Sequence, residues 1–171
     1  AVRDGRAGAG AAGRGLGVVI GRGVGLSVLD GERPAAWTDG GAGDLGQIDV
    51  TVGDPSSAPI GPDGGRGGLE GYVGARAVAA AGGMERAFAP GAPGLEALAR
   101  AVRVCHAIYR PDAVVLLGGI GIRLAGSEAL ESAIRRELTS LAKSGWRLAF
   151  GVDDFHAARG AARAAARLSD A

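Results

Sequence analysis

Asparagine is absent from this 171-residue chain, lysine occurs once, at Lys143, and cysteine once, at Cys105. A single thiol excludes an internal disulfide and any metal site built from several cysteines, and it suits a reducing compartment. No apolar stretch approaches the roughly 20 residues that cross a bilayer, and the opening Ala1-Val2-Arg3-Asp4 lacks the charged-then-apolar pattern of a signal peptide. A cytoplasmic location without membrane contact is therefore expected. There is also no basic run and no interleaving of basic residues with aromatics. The 19 basic residues are scattered among 18 acidic ones for a net charge of +1, so nothing points to direct nucleic-acid contact.

Glycine, alanine and arginine dominate instead, with 33 glycines. Together with the missing asparagine this reads as a coding bias, so raw counts of these residues carry little weight. A hydrophobic share of 47% beside 22% charged residues is that of a globular chain. Its length suits one domain that buries roughly 68–70% of its unfolded surface.

Residues 1–16 are nearly all Gly, Ala and Arg without a hydrophobic period. They read as a flexible or truncated N-terminal segment, and the initial alanine fits either processing or a piece of something longer. The folded domain is expected over 17–171. Short strands are read at 17–20 and 25–29, a turn at Asp30-Gly31, and a third strand over Gln47–Val52. Gly53 to Gly68 is polar, Gly- and Pro-rich, and reads as a long exposed loop of the kind that carries function.

Helical spacing follows over 70–81 and, after Pro90 and Pro93, over 95–109, where Leu95, Leu98, Val102, Cys105 and Tyr109 form a stripe that Pro111 stops. Ala113 to Leu117 is a fully apolar strand of the parallel, buried type, ending on Gly118-Gly119-Ile120-Gly121. A helix opens at Ser127 and runs to about Ala142. A strand spans 147–151, and Asp153-Asp154 caps a closing helix over 155–168. The fold class is α/β, a three-stranded antiparallel meander followed by helix-strand-helix-strand-helix.

Gly21, Gly23 and Gly25 punctuate the turn between the first two strands. A turn stripped of side chains lets backbone N–H groups approach an anion, although a plain tight hairpin has the same look. A second glycine turn stands at Gly118 and Gly119, again at a strand end, where α/β sheets place their ligands. Taken alone, Glu70 could be a helix N-terminal acid, Asp44 a turn residue and Gln47 an exposed strand position. Cys105 and Trp146 read as packing, His106 as packing or surface, and His156 as a first-turn residue. Trp37 could stack on a ligand.

Four segments in order suggest more: the Gly21–Gly25 turn, Gly40-Gly41-Ala42-Gly43-Asp44-Leu45-Gly46-Gln47, Gly67-Gly68-Leu69-Glu70-Gly71-Tyr72, and the strand end at Gly118-Gly119. The pattern resembles the second, actin-like half of the ROK family of repressors, open reading frames and sugar kinases, with its G-G-A-G-E-L-G-H and G-C-L-E-x-Y segments. The resemblance implies a ribonuclease H-like domain. It implies that Gly21, Arg22, Gly23 and Gly25 meet the phosphates of ATP, with Mg²⁺, and that Gly118 and Gly119 lie beside the adenosine. Asp44, Gln47 and Glu70 would meet the hydroxyls of a hexose or amino sugar. Arg22 stands where many members carry threonine.

The family's structural zinc uses a histidine and three thiols, and Gln47, Gly61, Asp63 and Gly68 occupy those places here, so no zinc is expected. The family's N-D-x-N base segment and D-x-G-x-T phosphate loop do not occur, and Asp4 stands too close to the turn to replace the base. No catalytic residue is therefore assigned, and the base is expected from a missing N-terminal half. The implied function is that of half an ATP-dependent sugar kinase, inactive alone and possible as a homodimer. The alternatives are the sugar-sensing domain of a ROK-type repressor and a degenerate, non-catalytic relative.

Overall fold

Leu16, Val18 and Ile20 alternate with Gly17 and Val19 along the first strand, β1 (Arg14–Ile20), and all three are buried. That period of two commits one face of the strand to the core. The computed structural model describes residues 13–31, 33–35, 43–156, 158–160 and 162. β1 begins at Arg14, earlier than expected, because Arg14 N–H donates to Asp112 Oδ2 at 2.8 Å while Asp112 N–H donates back to Arg14 O at 2.8 Å. This exchange extends the sheet past the last apolar residue.

A three-residue turn returns the chain into β2 (Val24–Asp30), antiparallel to β1 with Ile20 opposite Val24 and Val19 opposite Gly25. β3 is only Arg33–Pro34. The third strand expected over 47–52 is not formed. Leu45–Gln47 is a turn of 3₁₀ helix, and the extended stretch after it makes a single bridge, Asp49 opposite Gly68. Its alternating pattern still holds, because Val50 is fully buried beside exposed Asp49, but among the described residues no strand lies alongside to complete a ladder.

The loop after Gly53 is more ordered than its composition suggests. Asp54 caps a 3₁₀ turn over Pro55–Ser57 by accepting from Ser56 N–H at 2.9 Å, which lowers its pKa. Ile60 bridges Arg66, whose guanidinium donates to Ser56 O and Ala58 O at 3.1 and 2.8 Å.

The helix expected over 70–81 is two short ones, α1 (Leu69–Val73) and α2 (Ala75–Ala80), broken at an extended Gly74. α3 (Met84–Ala87) is a single turn, and α4 (Pro93–Tyr109) is the long helix, with Pro93 in its first turn and Arg110 closing it in the left-handed conformation. β4 (Ala113–Leu117) leads straight into α5 (Gly118–Gly121) and a 3₁₀ turn. α6 (Glu128–Leu138) starts at Ser127, whose Oγ accepts from Leu130 N–H at 3.2 Å. It ends at Thr139, before the expected Ala142, and the chain turns so that Lys143 reaches Asp112 at 3.1 Å and feeds β5 (Arg147–Phe150).

The sheet order is β3-β2-β1-β4-β5, with β1, β4 and β5 mutually parallel and β1, β2 and β3 antiparallel. One continuous core joins Leu16, Val18 and Ile20 to Val114 and Leu116, to Leu95, Leu98 and Val102 of α4, and to Leu130, Ile134 and Leu138 of α6. Each such buried aliphatic side chain contributes about 1.5–3 kcal/mol. A bidentate Arg136–Glu96 pair, at 2.7 and 2.9 Å, ties α6 to α4. The other face of β4 is less covered than its apolar run implies, with Val115 and Leu117 only half-buried. Much of the expected 155–168 helix, like Trp37, Asp4 and most of 1–16, lies outside the described residues. Among the described residues no helix is long and apolar enough to cross a membrane.

Candidate functional site

The β1–β2 turn is clamped from below by a carboxylate. Gly21 N–H donates to Gly23 O at 2.9 Å, closing the turn, and Val24 N–H donates to Glu70 Oε2 at 3.1 Å. A Cβ on Gly23 would stand 2.7 Å from that same oxygen, and one on Gly46 would stand 3.1 Å from it and 3.0 Å from Val24 O. A side chain at Gly23 would therefore have to displace the Glu70 carboxylate, and one at Gly46 would crowd that carboxylate and the Val24 carbonyl, whereas a Cβ at Gly21 would meet nothing within 4 Å. The outer side of the turn is open.

The break between α1 and α2 belongs to the same construction. Gly74 N–H closes α1 on Glu70 O at 2.9 Å, and Ala75 N–H then turns outward to donate to Gly21 O at 3.0 Å. A Cβ on Gly74 would lie 2.8 Å from Glu70 O and 3.1 Å from Arg22 O. The glycine turn thus docks into the helix kink, and that docking is why a helical pattern over 70–81 cannot be continuous.

Turn, kink and loop enclose a cavity of about 270 Å³ lined by Arg22, Glu70 and Arg76 among apolar Ile60, Pro62 and Ala77. Of the three residues expected to face a sugar, only Glu70 lines it. Asp44 instead borders a separate cleft of about 130 Å³ with Leu26, Ile48, Cys105 and Tyr109. Burial pushes the Cys105 thiol there up to about 12, so it stays protonated and behaves as a core residue.

Gln47 is also engaged elsewhere. With its amide nitrogen facing the carboxylate it donates to both Asp63 oxygens at 2.9 Å, while Asp63 Oδ1 accepts from Gly65 N–H at 3.1 Å. Gly61 N–H closes the same turn on Gly65 O at 2.7 Å. Gln47 and Asp63, two of the positions compared with zinc ligands, therefore hold the loop to the 3₁₀ turn by hydrogen bonds. Among the described residues no group of three or more His, Cys, Asp or Glu side chains could hold a metal ion.

The second glycine turn lies next to the first. Gly118 has φ +79, and a Cβ there would stand 2.5 Å from Ile20 O, so β4 passes into α5 against the very end of β1. Gly121 packs on Leu116, and the Cβ position of Gly119 is 3.5 Å from Asp154 Oδ2. Asp153, not Asp154, makes the capping contact, accepting from Phe155 N–H at 2.9 Å and pairing with Arg159.

Sequence reasoning missed Arg76, one arginine among many, for which no local signal exists. It noted Asp63 only for a lost thiol, without its bond to Gln47. His106 is fully buried, stacked edge-on to Trp146 with ring centres 4.6 Å apart, and among the described residues neither ring nitrogen has a hydrogen-bond partner. Burial lowers its pKa.

No family model and no curated protein sequence matches the chain. Its structure is similar to those of ROK-family proteins. One is a transcriptional regulator, a homologue of the E. coli MLC protein (TM-score 0.61, 17% identity, covering 80% of this chain and 41% of that one). A hexokinase from Thermus thermophilus gives TM-score 0.58 and 21% identity, covering 80% and 51%. A glucokinase from Streptomyces griseus, solved with glucose and AMPPNP, gives 0.57 and 16%, covering 84% and 57%. The mixed five-stranded sheet with its helices is the fold of these ROK proteins, and the chain spans about half of their length.

Proposed function

We propose that this chain is the ATP- and sugar-facing half of a ROK-type sugar kinase, transferring a phosphoryl group from ATP to a hexose or amino sugar. The observation that carries the reading is the bond between Glu70 and Val24 N–H, which makes the phosphate turn and the sugar-side carboxylate one unit. The residues fit a nucleotide: the side of the turn at Gly21 is open, with nothing within 4 Å of a Cβ there, so an anion has room to approach the turn although the N–H and O of Gly21 are already paired, and Gly118 packs without a side chain against the end of β1. ATP, brought in with Mg²⁺, supplies the transferable γ-phosphoryl group. Glu70 has its second oxygen for sugar hydroxyls. The general base and the facing phosphate loop belong to the remaining half, because phosphoryl transfer needs positioning and charge from both sides of a cleft.

A second reading, a sugar-sensing domain in a ROK-type repressor, is supported by the similarity to the transcriptional regulator and by Arg22 in the turn. Sugar-dependent release of ADP by the full-length gene product supports the kinase. Sugar binding without turnover, together with an upstream helix-turn-helix, supports the repressor. Failure to bind both ATP and every sugar of a hexose and amino-sugar panel overturns both.

A further inference from the structure

The cavity beside the glycine turn has a polar lining better matched to a sugar that carries negative charge than to a neutral one. A sugar hydroxyl accepts as well as donates, and its proton needs an acceptor; of the three residues compared with sugar ligands one borders another cleft, one is bonded to Asp63, and Glu70 gives one of its oxygens to Val24 N–H. What the cavity has instead is cations. Arg22 comes from the turn and Arg76 from α2, and among the described residues neither guanidinium has a hydrogen-bond or ion-pair partner. Two planar forks of five donors each suit a dianion with three oxygens far better than a hydroxyl. A carboxylate would occupy only one of them. Ile60, Pro62 and Ala77 offer an apolar floor for a sugar's C–H face, and about 270 Å³ suits one small ligand.

We propose that this cavity takes a monosaccharide carrying a phosphate ester, its phosphate held by Arg22 and Arg76 and one hydroxyl by the free oxygen of Glu70. This rests on the reading of the cavity as the sugar site and narrows its ligand to phosphosugars. As substrate such a sugar would accept a second phosphoryl group; as effector it would report the product of an earlier sugar phosphorylation.

The test is calorimetric titration of the 171-residue chain with glucose, mannose and N-acetylglucosamine, each against its 6-phosphate, and with glucose 1-phosphate, glucuronate, inorganic phosphate and ATP. At least one phosphosugar is expected to bind 10-fold or more tightly than its parent sugar and than inorganic phosphate. R22A and R76A are each expected to weaken that binding about 10-fold without lowering the melting temperature, since both side chains are exposed. R76K should recover part of the loss. Equal or tighter binding of the parent sugar, or of glucuronate, overturns the inference while leaving the sugar-kinase reading intact. So does an arginine dependence found for ATP alone. Binding of inorganic phosphate with no gain from the sugar overturns it too, as does binding of none of the probes, while the kinase reading is decided by the full-length protein.

Discussion

Three glycines of the two turns look alike in sequence, yet the structure gives them different costs of substitution by alanine. At Gly25 the added methyl meets only Val19 Cβ at 4.0 Å on an exposed strand, so Gly25→Ala should change stability by no more than about 0.5 kcal/mol. At Gly23 the methyl arrives 2.7 Å from Glu70 Oε2. A carboxylate can swing aside, but only by releasing Val24 N–H, and loss of a hydrogen bond to a charged acceptor costs about 1.5–3 kcal/mol. At Gly118 nothing can move. The left-handed φ of +79 costs alanine about 1–2 kcal/mol, and the 2.5 Å approach to Ile20 O, a backbone atom in the middle of the sheet, adds about 1–3.

At about 2–4 °C per kcal/mol for a domain of this size, melting followed by circular dichroism should place Gly25→Ala near the parent. Gly23→Ala should fall about 3–12 °C lower and Gly118→Ala about 4–20 °C lower. The mechanism at Gly23 has its own check. In a Glu70→Ala background the methyl has no carboxylate to displace, so Gly23→Ala should lose most of its cost there. Gly118→Ala melting together with Gly25→Ala, or a Gly23→Ala penalty that survives removal of Glu70, would refute the packing described for both turns.

His106 sits neutral in the core with its pKa lowered by burial, so the folded chain resists a proton that the unfolded chain accepts. Stability should be undiminished above about pH 6.5 and should fall as pH drops below that value toward the lowered folded one. His106→Leu should flatten this dependence in melts between pH 5 and 8; an unchanged slope assigns it elsewhere. Asp63→Ala removes the acceptor of Gln47 and of Gly65 N–H, and should cost about 1 kcal/mol while raising hydrogen exchange selectively over 59–68. EDTA should leave the melting temperature of the parent unchanged, because hydrogen bonds hold this loop. Ser127→Ala should lower stability by about 1 kcal/mol through the lost cap on Leu130 N–H, with Ser127→Asp recovering it.

What could be read ahead of the structure follows from where the information for each element lies. β1, β4, α4 and α6 carry their burial pattern within their own residues, and periodicity found them to within a few positions. The segment 47–52 shows how that reading fails. Ile48, Val50 and Val52 alternate as a strand should, and Val50 is indeed buried, but pairing is decided by a partner, and here Gly68 offers only one bridge. The 70–81 helix fails for the same reason in reverse. Its residues favour a continuous helix, and the break at Gly74 is imposed by Gly21 O and Arg22 O, some fifty residues away in sequence, which claim the space and the Ala75 N–H.

The site inherits this division. Its glycines were visible because close approach leaves a local mark, an unoccupied Cβ position. The contacts of its polar residues were not, because a carboxylate or an amide pairs with whichever group it meets across the fold. Asp44, Gln47 and Glu70 fit one motif, yet they face a second cleft, Asp63 and the glycine turn respectively. That redistribution leaves Glu70, Arg22 and Arg76 as the charged residues lining the cavity, the set on which the phosphosugar proposal rests.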